Sequence, residues 1–435
     1  MNDIREFFKF VIPSVIAFAL SGLYAIVDGF FVGNTIGDAG LSAINIAYPI
    51  VAVLQALGTG IGMGGAVYYS IHKAKGTDKK AREFVAVGWW ILLIVSVVAT
   101  VIVYFSAENV LKLLGADHII LQYATDYIKI IAIGAVLQII GTGMIPFIRN
   151  YGGSLWAMIA MIGGFATNII LDYLFIWSYG LGMKGAASAT IIGQGVTMTI
   201  AIIYAICKRK FYLRADTKQI KAICGSIVKV GLAPFGLALT PNLSLVLINR
   251  FSASYGGEKA IATYACISYV ICIIYLVLQG VGDGSQPIIS EHYGEGNLPL
   301  AKTYRTMAYL TAGIITVVCM VGLFLARGQV GVLFGASAET CREVEGRLPL
   351  FLGTLVFVAF IRVTTSYLYA TEKAALSYIL VYTEPVLSFA ACLLLPRKLG
   401  LSGVWIAVPC SQVLSGVIAF VIKQLTDRRP EPAED

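Results

Sequence analysis

The chain has 435 residues, 58% of them hydrophobic and only 13% charged, with a mean hydropathy of +0.82. Water-soluble domains typically carry roughly twice that charged fraction, so most of this surface does not face water. The net charge of +8 would suit a nucleic-acid binder, but its placement along the chain excludes that reading.

Mostly apolar runs of 18 residues or more recur along the whole length, each able to cross a hydrocarbon core of about 30 Å as a helix. Twelve spans are predicted, near 7–33, 42–71, 84–106, 122–149, 155–178, 185–207, 223–253, 260–292, 305–326, 343–369, 374–396 and 400–424. The first is too long for a cleavable signal and has no small-residue cleavage site. It contains Pro13 and, within YAIVDGFFVG (24–33), Asp28, its one acidic residue past Glu6. A carboxylate at the bilayer centre costs about 2.5–3.5 kcal/mol on insertion scales, so Asp28 needs a reason to be there. In the second span GTGIGMGG (58–65) satisfies G-x-G-x-x-G through Gly60, Gly62 and Gly65. It lies inside an apolar helix and not at a strand-to-helix turn, so close helix packing is the better reading than nucleotide binding. The fifth span holds NIILDYLFIW (168–177), where Asn168 and Asp172 are four apart and share a helix face. Thr190 stands in the sixth span, and Cys207–Lys221 is a polar linker. Beyond it, Asn249 and Arg250 lie in the seventh span, Asp283 in the inner half of the eighth, and Arg362 and Glu384 near the middle of the tenth and eleventh.

With the N-terminus inside, segments on the inner side carry twenty Lys and Arg and those on the outer side eight. That bias is the positive-inside pattern and predicts cytoplasmic termini. Offset by 220 or 221 residues, the chain resembles itself: Pro13 falls on Pro234, Asp28 on Asn249, SIHKAKG (70–76) on SEHYGEG (290–296) and LLGA (113–116) on LFGA (333–336). Gly58, Gly60 and Gly62 recur as Gly280, Gly282 and Gly284 after a short slip. Six spans per half give both halves the same orientation. The predicted fold is an all-α membrane protein, with twelve transmembrane helices in two six-helix lobes related by a pseudo-twofold axis along the membrane normal. The expected divisions are an N-lobe (1–210), a linker (211–222), a C-lobe (223–425) and a cytoplasmic tail (426–435).

Counted from the outer side, Asp28, Asp172 and Thr190 share one depth, about 8–9 Å below the surface, with Asn168 one turn deeper. These oxygens suit a hard cation such as Na⁺, and two carboxylates in a dry pocket suit reversible protonation. The alternative is that Asp28 and Asp172 only cross-link helices. Asn249 and Cys392 stand at the offset positions of the two aspartates, so ion coupling is expected in the first half alone. Glu384 and Arg362 either pair with each other or leave Glu384, beside Pro385, lining a cavity that attracts cationic cargo. The eight cysteines form no CxxC pair, and no nucleophile–base or metal-ligand spacing occurs in any span, so enzymatic chemistry is not expected.

Pro13 and Asp28, N-x-x-x-D at 168–172, Thr190, R-x-x-G at 149–152 and QPIIS at 286–290 together resemble the multidrug and toxic compound extrusion (MATE) family, in its branch of bacterial multidrug exporters. The resemblance covers essentially the whole chain. It implies a V-shaped antiporter of a bacterial plasma (inner) membrane that expels organic, often cationic, compounds in exchange for Na⁺ or H⁺. Asp28, Asn168, Asp172 and Thr190 would inherit the coupling role and, in a sodium-coupled member, ligate Na⁺. Tyr24, Pro13, Glu384, Asn249 and Asp283 are the candidates for the cargo cavity or its gate, with Pro13 the point where some family members bend the first helix. The partners expected are a small organic substrate and membrane lipid, without nucleic acid or any cofactor beyond the coupling ion, and the chain is expected to be monomeric. A lipid-linked precursor flippase of the same superfamily and a passive channel are the rival functions.

Overall fold

The computed structural model describes residues 2–428, except for the side chains of Asn2, Ala25 and Asp38; most of the expected cytoplasmic tail lies outside that range. The described residues form helices α1 (Asn2–Thr35), α2 (Asp38–Ala74), α3 (Asp78–Leu113), α4 (His118–Ile133), α5 (Ala135–Asn150), α6 (Ser154–Asp172) and α7 (Gly182–Cys207). After the linker come α8 (Ile220–Gly294), α9 (Leu298–Leu325), α10 (Arg327–Leu333), α11 (Ala338–Leu352), α12 (Leu355–Ala370), α13 (Ala374–Leu394), α14 (Pro396–Leu399) and α15 (Leu401–Arg428). There is no strand among them.

Nine of these helices are long and apolar enough to cross a bilayer, and two bent pairs, α4–α5 (60°) and α11–α12 (45°), raise the number to eleven. The 75-residue α8 is interrupted at Gly257 by non-helical dihedrals (φ 63°, ψ −158°), so it supplies two spans and brings the total to the twelve predicted. The apolar faces are left for lipid: Ile94, Val98, Ile102 and Phe105 on α3 and Leu310, Ile314, Val318 and Val321 on α9 are all exposed. A water-soluble protein could not leave such stripes uncovered.

The internal repeat is written into the backbone. Glycines with positive φ stand 220 residues apart at 37 and 257, 76 and 296, 115 and 335, and 180 and 400. The fifth pair is Gly152 (φ 84°) and Glu372 (φ 58°). Each half therefore turns its chain at the same places. The breaks in the bent spans, at Gly134 and Gly353–Thr354, recur at nearly the same offset.

Two compact units are formed, Met1–Leu239 with Asp283–Ala301, and Thr240–Gly282 with Lys302 onward. In the first, α2 is the hub, and its glycine run explains why. Gly58 and Gly62 lie against the backbone of α5 at Ile139 and Gly143, and a Cβ on either would overlap it. Gly60 and Gly64, on the opposite side of α2, meet the backbone of α8 at Gly231 and Ile227. The run is a two-faced packing surface of small residues, as its helical context indicated.

Candidate functional site

α6 buries Ser154, Ala157, Ala160, Gly164, Asn168 and Asp172, a stripe at three- and four-residue spacing. Its partner α7 buries Met183, Ala186, Thr190, Gly193 and Thr197 in the same rhythm. The two helices approach closely because Gly164 and Gly193 face each other, a Cβ on Gly193 meeting the Gly164 carbonyl at 2.7 Å. That approach sets Asn168 beside Thr190: Asn168 Nδ2 donates to Thr190 Oγ1 at 3.4 Å, and Thr190 donates to the Ala186 carbonyl at 3.0 Å.

α1 completes the cluster. It runs unbroken through Pro13 and brings the Asp28 carboxyl within side-chain hydrogen-bond reach of Asp172. Asp172 is 0% exposed, Asn168 2% and Thr190 7%, while Asp28 is half-buried. Tyr24 stacks on Phe165 of α6 with ring centroids 5.1 Å apart, and its hydroxyl lies beside Thr190. All four expected coupling residues thus meet in one place, with Tyr24 against them. Directly after Asp172 the helix widens into a π-type segment, Tyr173–Ser178, a departure from α-geometry often found at functional positions.

The defining feature is a shortage of donors. Asp28 Oδ1, Asn168 Oδ1 and both Asp172 carboxylate oxygens are buried and have no hydrogen-bond partner among the described residues. Acceptor-only groups crowded in this way call for a proton or a cation. The sequence reading missed Tyr127 of α4, whose buried hydroxyl also lies beside Thr190. A tyrosine in an apolar span, one of 23 in the chain, gives no signal that separates it from core.

The remaining candidates fall elsewhere. Asp283 is buried and paired with the equally buried Arg149 of α5, with Nη1 3.6 Å from Oδ2. Next to this pair Asn150 and Gln286 exchange side-chain amide hydrogen bonds at 2.9 and 3.2 Å, Ser70 donates to Asn150 at 2.6 Å, and Gln286 donates to Ser290 at 2.8 Å. The sequence stretches R-x-x-G, QPIIS and SIHKAKG therefore converge. In the second unit Arg362 donates to Gln279 at 2.8 Å, while Glu384 accepts from Gln412 Nε2 at 3.3 Å. Gln412 also accepts from Thr354 at 2.6 Å and donates to the Tyr275 hydroxyl, and Arg362 lies over the Tyr275 ring. Glu384 and Arg362 are thus linked through Tyr275 and Gln412, which sequence reasoning did not single out. Asn249 keeps a buried Oδ1 without a partner among the described residues.

The described residues thus supply twelve apolar helical spans, with two facing carboxyls sunk in one compact unit. The MatE family model matches residues 13–174 and 237–394, and the chain belongs to that family. It is 26% identical over 423 residues to the multidrug export protein MepA of Staphylococcus saprophyticus, covering 96% of this chain and 93% of that one. It is 25% identical to the MepA of Staphylococcus haemolyticus, covering 98% and 94%. Its fold matches that of a MOP superfamily transporter from Pyrococcus furiosus with a TM-score of 0.89 at 23% identity, over 98% and 96% of the two chains.

Proposed function

We propose that the chain is an antiporter that exports organic cations from a bacterial cell by alternating access, driven by inward movement of H⁺ or Na⁺ through the cluster of Asp28, Asn168, Asp172 and Thr190. The observation that carries this reading is the set of four buried acceptor oxygens without donors. A proton satisfies the facing aspartates by placing one O–H between them; a sodium ion does so by taking oxygens from all four residues. Either way the cluster binds the ion only while α1 and α6 hold the two carboxyls together. Ion occupancy therefore favours the arrangement in which they touch, and this differential affinity biases the conformational equilibrium. Pro13 leaves α1 without one backbone hydrogen bond in its first half, which gives the helix a place to bend when Asp28 moves. Half-buried Glu384, held by Gln412, supplies a negative charge for cationic cargo in the second unit.

The test is dye counterflow in proteoliposomes with an imposed pH gradient or an imposed Na⁺ gradient. Wild-type protein is expected to move an organic cation against one of them, and Asp28→Asn and Asp172→Asn to lose that movement. Undiminished counterflow in both variants rejects the coupling site. Equilibration of the dye without either gradient, at undiminished rate, identifies a channel instead.

A further inference from the structure

At the end of the helices that carries the chain's basic excess, α1, α6 and α7 enclose a cavity of about 260 Å³. Its lining includes Lys9, Ser154, Trp156, Tyr204 and Lys208, and no acidic residue. Sequence produces the cavity through two glycines. Gly152 turns the chain with φ 84°, and Gly153 caps α6, where a Cβ would overlap the Tyr204 hydroxyl.

A glycine cap has a second consequence. No side chain caps α6, and the backbone N–H groups of Ser154, Leu155 and Trp156 have no acceptor among the described residues. All three residues line the cavity. Ser154 is itself only 4% exposed, and its Oγ has no hydrogen-bond partner among the described residues. Lys9 and Lys208 are exposed, and no described acidic residue pairs with either. The partial positive charge of a helix N-terminus, free N–H groups and two ammonium groups all favour the same ligand, an oxyanion. The cavity is several times the roughly 30 Å³ that a water molecule occupies in the liquid, so it admits a phosphate. Trp156 is 48% exposed at its rim beside exposed Leu155, an aromatic and an aliphatic placed as at a headgroup boundary.

We propose that this cavity is a binding site for a phosphate-bearing anion, its physiological source the headgroup of an acidic phospholipid in the leaflet that Lys9 and Lys208 face. The site is separate from the coupling cluster and does not depend on the transport reading. Bound there, the phosphate ties the start of α1 to the α5–α6 turn and the end of α7.

The test uses purified full-length protein in detergent, titrated separately with short-chain phosphatidylglycerol, short-chain phosphatidylcholine and inorganic phosphate while its melting temperature is followed. Phosphatidylglycerol is expected to raise it by about 2 °C or more at saturation, with phosphatidylcholine weaker and inorganic phosphate without effect at equal concentration. Each lysine near a membrane surface contributes a comparable share, so Lys9→Gln/Lys208→Gln is expected to weaken the phosphatidylglycerol response about 10- to 30-fold in concentration. Lys79→Gln/Lys80→Gln, which removes the same charge elsewhere, is expected to leave it unchanged. An equal response to inorganic phosphate, also lost in the Lys9/Lys208 variant, supports the anion site and reassigns its source to soluble phosphate. No response to any of the three, or a response that survives the Lys9/Lys208 change or falls equally in the control, overturns the proposal.

Discussion

Asp28 and Asp172 are legible in the sequence because a carboxylate in an apolar run is loud. What the sequence could not give is the donor count around them, since that depends on which neutral side chains of α4 and α7 turn inward. The structure leaves Asp28 Oδ1 and both Asp172 carboxylate oxygens without donors among the described residues, and this has a consequence for stability. Asp28→Asn replaces a carboxyl that donates only when protonated with an amide that always donates, placed against Asp172. A hydrogen bond to a charged group contributes about 1.5–3 kcal/mol, so the variant is expected to melt higher than wild type while its gradient-driven counterflow disappears. A lower melting temperature would show that the two carboxyls only cross-link helices. Tyr127→Phe removes a hydroxyl beside Thr190 without touching either acid. It is expected to keep maximal counterflow and to require more coupling ion for it, by about tenfold if one hydrogen bond of roughly 1.4 kcal/mol is lost. An unchanged ion requirement would place Tyr127 in the core alone.

Among the elements, the spans themselves were legible because hydrocarbon demands long apolar helices, and the predicted boundaries lie within about seven residues of the helix ends, the helices running on beyond the apolar stretch. The bends at Gly134 and Gly353–Thr354 were not, since a lone glycine in an apolar run also serves simply to pack. Packing is its work in α2. Gly62→Ala would drive a Cβ into the α5 backbone at Gly143, which cannot yield as a side chain can. The expected loss is about 1–3 kcal/mol or more, read as a fall in melting temperature. Gly225→Ala in α8 meets nothing within 4 Å, and there the lower entropy of the unfolded chain is expected to stabilise by about 0.5–1 kcal/mol. The same substitution in two helices thus has opposite signs, and equal effects would mean that propensity outweighs contact.

At the scale of the molecule, the offset of 220 residues was visible in short sequence matches, and the paired positive-φ turns show it in the backbone. Less visible was where compactness would be divided. The polar linker after α7 is the obvious boundary in sequence, yet the first unit also takes in both ends of α8, residues 220–239 and 283–294. The glycine contacts at 227 and 231 hold one end, and the Arg149–Asp283 pair with its neighbouring Asn150–Gln286 exchange holds the other. A sequence shows three separate motifs here, because residues 70, 149 and 286 meet only after folding. The energetic weight of the ion pair follows from its burial. Asp283→Asn leaves the Arg149 guanidinium buried without its counter-charge and is expected to destabilise by about 3–5 kcal/mol. Arg149→Met/Asp283→Leu removes both charges, and its melting temperature is expected to return most of the way to wild type. Should the double variant melt no higher than Asp283→Asn, the C-terminal end of α8 is held by the specific geometry of the pair, and not merely by the need to neutralise a buried charge.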